Sequence, residues 1–441
     1  MFKQWMARQA YSLLLRMGTP FYLWRVWSRG QTEPHYRLAW WERLGLYGRA
    51  YRQGLHAKRS AGPLVWLHAV SLGETRAVVP LVQALRARRP DMRLLLTHST
   101  ATGRDAGQAL LQDGDVQTWL PYDTPGAVRR FLRLHQPAVG VLMETEVWPN
   151  VQHVAQRMGV PMVLANGRLS EKSLRQGQRL AALMAPAARS LAVVLAQTQG
   201  DAARFVAMGA SRVEVCGNVK FDMTPSQALL DKGARWKAAS SRPLVLMASS
   251  REGEEPGLLA AWQAWLAAEQ LQGQSMPRLW IVPRHPQRFD AVAELILQQG
   301  LRLSRRSQWG DQAPDAQACT ADVWLGDSIG EMPAYYAAAQ VALLGGSFEP
   351  LGGQNLIEAA ACGCPIVMGP STFNFAEAAQ LSEAAGAAVR VQNWEQGVAQ
   401  AILFCDEKKH EAGQSAANAF ALAHRGAADR SAELIWGELA P

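Results

Sequence analysis

The chain has 441 residues, of which 49% are hydrophobic and 19% are charged. At about 150 residues per domain, this length predicts at least two domains. The composition excludes a disordered chain, a collagen-like repeat and a small disulfide scaffold. The five cysteines are odd in number and lack metal-binding spacing, which favours a reducing compartment over secretion.

The positive charge is concentrated at the N-terminus. Residues 1–60 hold eleven Lys and Arg and two acids, a net charge of +9, whereas the whole chain carries +8. The same segment contains five tryptophans: Trp5, Trp24, Trp27, Trp40 and Trp41. Interleaved cations and tryptophans are typical of a helix at a lipid headgroup boundary. A nucleic-acid binder more often carries its basic patch on the folded domain, so we expect no nucleic-acid partner.

The first 29 residues fit neither a signal peptide nor a membrane-spanning helix. Their uncharged runs, residues 9–15 and 17–24, are interrupted by Arg16 and Arg25 and contain Pro20. A spanning helix needs about 20 mainly apolar residues. We therefore predict an anchor that lies in the plane of a membrane. The alternative is an ordinary amphipathic helix that packs on the domain.

Beyond residue 60, short apolar runs alternate with stretches of helical pattern. Near-continuous apolar runs are typical of parallel strands that are covered on both faces. Strands are predicted at residues 64–70, 93–97, 139–143, 162–165, 192–196 and 213–216, and again at 244–248, 279–282, 322–325, 341–344 and 365–368. The pattern predicts an α/β protein with two Rossmann-like domains that face a central cleft, where ligands bind such folds.

The domain boundaries follow from composition. A polar segment bounded by Pro225 and Pro243 is the best linker candidate. We predict four parts: a basic membrane-associating segment (1–60), a first Rossmann-like domain (61–222), a linker (223–242) and a second Rossmann-like domain (243–441).

Polar motifs follow the predicted strands. In the longest, residues 345–358, a strand leads into a glycine-rich loop and then a helix. Gly352 and Gly353 allow close approach to a ligand, and a helix that opens near Gln354 or Asn355 offers free amides to a phosphate. Glu358, one turn further, is suited to accept hydrogen bonds from two vicinal hydroxyls. A structural glycine turn with a solvated Glu explains the pattern equally well.

Seven motifs together carry a family resemblance. They are Ser71-Leu-Gly-Glu74, Glu144-Thr-Glu-Val-Trp-Pro-Asn150, Asn166-Gly-Arg-Leu-Ser170, Gly217-Asn-Val-Lys-Phe-Asp222, Pro283-Arg-His-Pro286, Leu325-Gly-Asp-Ser-Ile-Gly-Glu331 and Asn374-Phe375. In this order they resemble the Kdo transferases of lipopolysaccharide synthesis, which are glycosyltransferases of the GT-B type. Such enzymes move 3-deoxy-D-manno-octulosonic acid (Kdo) from CMP-Kdo to a lipid A precursor.

The resemblance implies an inverting transfer with Glu74 as the general base. The residues alone favour another role, because Ser71-x-x-Glu74 is also a capping box in which Glu74 would bond the Ser71 amide. The two roles are compatible, since a turn that fixes the carboxylate also orients it.

The resemblance also assigns residues to the acceptor, lipid IVA. These are Ser71, Gly73, Glu144, Glu146, Asn150 and Arg168. Glu144 and Glu146, two apart after a strand, would face one side of an extended segment. A helix-capping role for either acid is an equal alternative. A paired-carboxylate hydrolase would leave the nucleotide-like second half unexplained.

A larger set is assigned to the donor. It comprises Arg251, Pro283, Arg284, His285, Ile329, Gly330, Glu331, Gly353, Asn355, Leu356, Ile357 and Glu358. The chain departs from the family where Arg251, Gln354 and Ser371 replace common histidines. A guanidinium at position 251 would hold an anionic donor but could not shuttle protons at neutral pH.

No metal or other cofactor is expected, because the Asp-x-Asp pattern occurs only at Asp113 and Asp115, in a predicted surface turn. The expected partners are CMP-Kdo, a lipid A precursor and the anionic surface of the inner membrane, at its cytoplasmic face. Two alternatives stay open. One is a related transferase or epimerase that uses a UDP-sugar, and the other is a non-enzymatic binder of anionic surfaces.

Overall fold

The computed structural model describes residues 2–57, 62–269, 276–310 and 313–439. The chain forms two compact units. Unit 1 comprises Met1–Asp222 and Arg425–Pro441, and unit 2 comprises Met223–His424. Each unit contains one seven-stranded sheet.

The strands, in chain order, are β1 (Leu64–His68), β2 (Arg93–His98), β3 (Val116–Trp119), β4 (Val139–Met143), β5 (Met162–Gly167), β6 (Val193–Ala196), β7 (Val213–Val215), β8 (Leu244–Ser250), β9 (Arg278–Pro283), β10 (Leu303–Arg305), β11 (Val323–Leu325), β12 (Val341–Leu344), β13 (Ile366–Met368) and β14 (Ala388–Arg390).

The α-helices are α1 (Phe2–Arg29), α2 (Arg49–Ala57), α3 (Leu72–Ala77), α4 (Val79–Arg88), α5 (Ala101–Gly107), α6 (Pro125–His135), α7 (Pro149–Arg157), α8 (Glu171–Arg179), α9 (Ala181–Arg189), α10 (Gln199–Met208), α11 (Gln227–Ala239), α12 (Glu254–Glu269), α13 (Phe289–Gln298), α14 (Met332–Ala338), α15 (Leu356–Ala361), α16 (Ala376–Ala384), α17 (Trp394–Leu403), α18 (Glu407–Ala423) and α19 (Ala427–Gly437).

Both sheets are parallel and have a topological switch point. In unit 1 the order is β3-β2-β1-β4-β5-β6-β7, so the strand order reverses between β1 and β4. In unit 2 the order is β10-β11-β9-β8-β12-β13-β14, which reverses between β8 and β12. Ligands of doubly wound sheets bind beyond the carboxyl ends of the strands at such a point. The prediction of two Rossmann-like α/β domains is confirmed.

The structure contains three strands that the sequence pattern misses. They are β3, β10 and β14, and each lies at the edge of its sheet. An edge strand is covered less completely than a central one, so its sequence does not need a continuous apolar run. The residues Gln117, Ser304 and Arg390 interrupt these three strands accordingly.

The predicted linker is wrong. Residues 227–239 form α11, which belongs to unit 2 and contacts α14. Trp236 of this helix is fully buried and packs on Trp280 and Tyr335, with ring centroids 5.5 Å away in both cases. The helix lies so close to α14 that a Cβ at Gly233 would approach the Ala334 carbonyl oxygen to 2.2 Å. The polar composition of the segment reflects the outer face of the helix.

The C-terminus also corrects the predicted boundaries. Residues 425–441 belong to unit 1, although they were assigned to the second domain. Asp222 accepts hydrogen bonds from the Gly426 and Ala428 amides, at 2.5 and 2.7 Å. Buried residues of α19, among them Ala432 and Ile435, complete a core of unit 1. Asp222, in the motif 217–222, therefore fixes the start of the returning helix.

The N-terminal helix α1 packs on unit 1 through one face and exposes its apolar face. The packed side carries Arg8, Tyr11, Ser12, Leu15, Thr19 and Val26, which are buried or half-buried. The outer side carries Phe2, Met6, Leu13, Met17, Phe21 and Trp24, which are between 49% and 74% exposed. The two predicted alternatives, a helix packed on the domain and a helix with a membrane-facing surface, are therefore compatible. None of the described helices combines the length and apolarity of a membrane-spanning segment.

Candidate active site

The residues predicted to meet the acceptor follow three neighbouring strands of unit 1. Glu74 follows β1, Glu144 and Glu146 follow β4, and Arg168 follows β5. Because parallel strands end at the same edge of a sheet, these side chains share one edge. The loops after β1 and β4 flank the switch point, which is the position at which doubly wound sheets bind ligands.

Glu74 lies in the first turn of α3 and takes part in its cap. The Ser71 hydroxyl accepts a hydrogen bond from the Glu74 amide at 3.4 Å. In return, Oε2 of Glu74 accepts from the Val70 amide at 2.9 Å and Oε1 accepts from the Ser71 hydroxyl at 3.3 Å. The predicted capping box thus forms, but its reciprocal bond goes to Val70 instead of Ser71. The cap fixes the carboxylate in one orientation.

The environment of Glu74 raises its pKa from 4.5 to about 7. Burial is the largest cause, because desolvation disfavours the charged form. The negative charges of Glu144 and Glu146 raise the pKa further, whereas the hydrogen bonds from Val70 and Ser71 oppose the rise. A carboxyl group with a pKa near 7 can accept a proton efficiently at neutral pH.

Glu144 is held by a cation that the residue assignments did not include. Its Oε1 lies 2.8 Å from Nζ of Lys220, and both side chains are about one-fifth exposed. The backbone of Glu144 has a φ of 56°, in the left-handed region, and its carbonyl accepts from the Arg168 amide at 3.2 Å. Lys220 belongs to the motif 217–222, one of the motifs that carry the family resemblance. That motif is the sequence feature from which a role for Lys220 could have been predicted.

Glu146 has a different partner. Its Oε2 accepts a hydrogen bond from the Trp148 indole at 2.6 Å. Burial is the main cause of its raised pKa, with the charge of Glu144 adding to it. The predicted loop 144–150 therefore contains two partly buried acids in distinct environments, one paired with an ammonium group and one with an indole.

Asn150 has a structural role in this arrangement. Its side chain is fully buried, donates to the Asp123 carbonyl at 2.7 Å and accepts from the Ser12 hydroxyl at 3.0 Å. It therefore connects α1 to the start of α7 and does not present its amide to an acceptor. His98, at the end of β2, is also buried, and its Nδ1 lies 2.9 Å from the Ala69 carbonyl oxygen.

Lys220→Gln is expected to move the pH dependence of transfer. Loss of the ammonium group leaves the Glu144 charge unbalanced near Glu74, which raises the pKa of Glu74 further. The midpoint of the acid limb in a plot of kcat/KM against pH should move to a higher pH, by about 0.5–1 unit. Lys220→Arg should keep the wild-type profile. An unchanged limb in Lys220→Gln would contradict the coupling.

The residues predicted to meet the donor follow four neighbouring strands of unit 2. Arg251 follows β8, Arg284 follows β9, Glu331 follows β11 and the glycine loop follows β12. Backbone hydrogen bonds join these loops: the Arg284 amide donates to the Ser250 carbonyl at 2.9 Å. The loops after β8 and β12 flank the switch point of this sheet, as the loops of Glu74 and Glu144 do in unit 1.

A buried acid, Glu254, organises the glycine loop. It is fully buried at the start of α12 and accepts hydrogen bonds from the amides of Arg251, Gly346 and Phe348, at 2.8, 2.7 and 3.2 Å. Burial is the main cause of its raised pKa, which those amides oppose. Glu252 and Glu255 are close to Glu254 in the sequence, so the pattern of residues alone does not single out Glu254.

The cations of this edge differ in exposure. Arg284 and His285 are exposed beyond buried Pro283, and Arg251 is half-buried with its Nε 3.1 Å from the Glu252 carboxylate. Both guanidinium groups are permanently charged and suited to an anionic ligand.

In the loop after β11, some residues are exposed and one is held by ion pairs. Ile329 is 73% exposed, and Gly330 is exposed with a φ of 84°. The carboxylate of Glu331 is held by Lys232 at 2.7 Å and by Arg306 at 3.0 Å. Burial opposes ionisation, but these partners and Ser328 lower the pKa of Glu331. Glu331 is therefore an ionised group that fixes the loop.

The glycine loop forms the predicted turn and a short helix. Gly353, with a φ of 74°, donates its amide to the Gly346 carbonyl at 2.7 Å. The Asn355 side chain caps α15 by accepting from the Ile357 amide at 3.2 Å. The side chains of Leu356 and Ile357 are buried, so only their backbones could meet a ligand. Glu358 is half-buried in the first turn of this helix.

Ser371 stands where a histidine is common in the family. Its hydroxyl accepts from the Gly352 amide at 3.0 Å, which gives it a role in shaping the loop. Across the described ranges, no three His, Cys, Asp or Glu side chains form a group that could hold a metal ion.

The chain is similar in sequence to known transferases. Residues 39–223 match the family model described as 3-deoxy-D-manno-octulosonic-acid transferase (kdotransferase). The transferase of that name from Bordetella pertussis is 44% identical over 440 residues, which are 98% of this chain and 99% of the relative. The one from Haemophilus influenzae is 32% identical over 382 residues, 84% of each protein.

Solved structures are similar in fold. A glycosyltransferase from Rickettsia africae has a TM-score of 0.57 at 12% identity, covering 86% of this chain and 99% of its own. The UDP-GlcNAc 2-epimerase from Neisseria meningitidis, bound to UDP-GlcNAc, has a TM-score of 0.55 at 14% identity with the same coverage. At these identities the likeness establishes the fold alone.

Proposed function

The chain belongs to the family of 3-deoxy-D-manno-octulosonic acid (Kdo) transferases, and from this premise we propose the substrates and the mechanism of its reaction. It is a glycosyltransferase of lipopolysaccharide synthesis. We propose that it transfers Kdo from CMP-Kdo to the lipid A precursor lipid IVA, with inversion at the anomeric carbon and with Glu74 as general base. The raised pKa of Glu74 at the switch point of unit 1 is the observation that supports this most directly.

The proposed reaction is a single displacement. The acceptor hydroxyl attacks the anomeric carbon of Kdo while the bond between that carbon and the phosphate oxygen breaks. CMP leaves with the electron pair of that bond, and Glu74 takes the proton of the hydroxyl. One displacement inverts the configuration. A carboxyl group whose pKa lies near neutral pH and whose position is fixed by its cap meets the requirement for general base catalysis.

The remaining residues of unit 1 would position the acceptor. The charges of Glu144 and Glu146 add to the effect of burial on the pKa of the base, and Lys220 pairs with Glu144. Arg168, joined to Glu144 through the backbone, supplies a guanidinium group suited to a phosphate of lipid IVA. Ser71 and Gly73 belong to the turn that carries Glu74.

Unit 2 would hold the donor. CMP-Kdo carries a phosphate and a carboxylate, and the negative charge on the phosphate develops further as CMP departs. Arg251 and Arg284, with His285, place positive charge beside the glycine loop, which suits both anions. We expect transfer to continue in the presence of EDTA, because the proposed mechanism takes its positive charge from these side chains.

Membrane attachment would bring the enzyme to its lipid acceptor. The outer face of α1 presents apolar and aromatic side chains together with cations of the basic segment. Such a helix binds in the plane of an anionic membrane. We propose that the protein is held in this way at the cytoplasmic face of the inner membrane.

Product analysis tests the proposed reaction. With CMP-Kdo and lipid IVA, mass spectrometry should detect lipid IVA heavier by one or more Kdo residues, and nuclear magnetic resonance should show inverted configuration. CMP should protect unit 2 from proteolysis, and UDP should not. Protection by UDP without Kdo transfer would favour a UDP-sugar enzyme and contradict the proposed donor.

A further inference from the structure

A pocket on unit 1 lies between the N-terminal helix and two helices of the domain. It has a volume of about 190 Å³ and is lined by residues of α1, α7 and α9, with Ser190 at the end of α9. The polar lining includes Arg8, His153, Gln156 and Ser190, and Trp5 forms part of the wall. Pockets for drug-sized ligands measure about 300–1,000 Å³, so this one suits a smaller group.

Two basic side chains line this pocket, and two arginines lie close enough for their charges to act on them. Arg8 and His153 line it, and the charges of Arg157 on α7 and Arg129 on α6 act on His153. Burial and then the charge of Arg157 lower the pKa of Arg8. Burial and then the charges of Arg8, Arg157 and Arg129 lower the pKa of His153. In both cases burial is the larger cause, and the neighbouring arginine charges add to it.

Within the described part of the chain, Arg8, Arg129 and Arg157 form no ion pair, whereas many other arginines of the protein do. A concentration of positive charge in a concave site without a carboxylate favours a bound anion. The donor geometry of guanidinium groups matches the oxygens of a phosphate.

The surroundings of the pocket favour the phosphate of a membrane lipid over a soluble anion. Trp5, which lines the pocket, is 50% exposed and stacks on Phe2 with ring centroids 6.3 Å apart. Both belong to the end of α1 whose outer face is apolar. A phosphate bound here would therefore lie beside aromatic rings at headgroup depth, as in a lipid interface.

We propose that this pocket binds the phosphate of an anionic phospholipid headgroup, with Arg8 as its cationic lining residue, with Gln156 and Ser190 as polar neighbours and with the charge of nearby Arg157 adding to the attraction. The proposal rests on the proposed attachment of α1 to the membrane. It adds a defined site for a membrane lipid that is distinct from the acceptor residues of the β1, β4 and β5 loops. The bound headgroup would secure α1 against α7 and α9 at the membrane surface.

The test compares two double variants that remove the same charge. Arg8→Gln with Arg157→Gln alters the pocket region, and Arg175→Gln with Arg179→Gln alters exposed arginines elsewhere on unit 1, outside the basic segment 1–60. Co-sedimentation is measured with phosphatidylcholine vesicles that contain phosphatidylglycerol and with vesicles of phosphatidylcholine alone, both without lipid A precursor. The pocket variant should bind the anionic vesicles about 30-fold more weakly than wild type. The control should lose clearly less, and binding to the neutral vesicles should change little.

Other outcomes separate the claims. Equal losses in the two double variants would overturn the pocket while leaving the membrane attachment intact. Wild type that binds neither vesicle would overturn the attachment itself, and the pocket with it. Calorimetry with inorganic phosphate distinguishes a lipid headgroup from a free anion. If phosphate binds saturably, Arg157→Gln abolishes that binding and the two double variants bind vesicles equally, then the site binds a soluble anion. That result would contradict the proposed lipid ligand. Arg157 is exposed, so the single variant Arg157→Gln, with an expected loss of about fivefold, provides a test if the double variant misfolds.

Discussion

Glu74→Gln is expected to lower kcat for Kdo transfer by about 10²–10⁴-fold. The amide has nearly the shape of the carboxyl group and can still accept the Val70 hydrogen bond, but it cannot take a proton from the acceptor. The loss should therefore appear in kcat and leave CMP protection of unit 2 unchanged. Single-turnover kinetics with CMP-Kdo and lipid IVA measure the effect.

The same substitution should stabilise the fold at alkaline pH. The folded-state pKa of Glu74 is raised, so the stability that its protonated form contributes is complete below about pH 4.5 and is lost as the pH rises through about 7. A glutamine does not ionise. The free energy of unfolding of Glu74→Gln should therefore match wild type near pH 4.5 and exceed it by roughly 1–3 kcal/mol at pH 8.

The matched control is Glu171→Gln, an exposed acid of the same unit. It should keep both the transfer rate and the pH dependence of stability. Turnover of Glu74→Gln within a few-fold of wild type would remove the base assignment, even if the stability effect is observed.

Substitution of the outer face of α1 should release the protein from membranes. In Leu13→Gln/Met17→Gln/Trp24→Gln, three side chains that are between 56% and 65% exposed lose their apolar surface. At about 1.5 kcal/mol or more for each apolar side chain buried, the vesicle partition constant should fall by at least about 10²-fold. Glutamine is a good helix former, so α1 should persist. Co-sedimentation with anionic vesicles measures the loss, and CMP binding should be unaffected.

The control for this variant removes equal numbers of exposed apolar side chains elsewhere. Val206, Leu297 and Leu422 are between 57% and 68% exposed, and their replacement by Gln should leave partitioning near wild type. Deletion of about the first 30 residues should also weaken attachment far more than CMP binding. The deletion is a less specific test, because it removes Tyr11 and Ser12, the partners of buried Asp123 and Asn150. Vesicle binding that persists in the triple α1 variant would contradict the anchor.

The fold was predictable where strands are covered on both faces. Runs such as 139–143 and 341–344 are continuously apolar because helices cover both sides of the sheet, and the structure places β4 and β12 there. The edge strands β10 and β14 have three residues each and include an arginine, so no periodic pattern identifies them. The return of α19 to unit 1 depends on Asp222 and on packing across the chain, which local sequence does not display.

The site was predictable where the motif itself defines the geometry. The spacing of Ser71 and Glu74 specifies a cap, and the cap is present. The roles of Lys220 and Glu254 depend on contacts across 76 and 92 positions of sequence, which spacing cannot reveal. Asn150 illustrates the opposite case, since its motif suggested a ligand contact whereas burial against Ser12 gives it a structural role.

The pH dependence of kcat/KM tests the role of Glu74 most directly. For wild type, the account predicts an acid limb of unit slope with a midpoint near pH 7, because only the ionised Glu74 accepts the proton of the acceptor. The residual activity of Glu74→Gln should lack this limb. An acid limb near pH 7 that remains in Glu74→Gln would show that another group is the base.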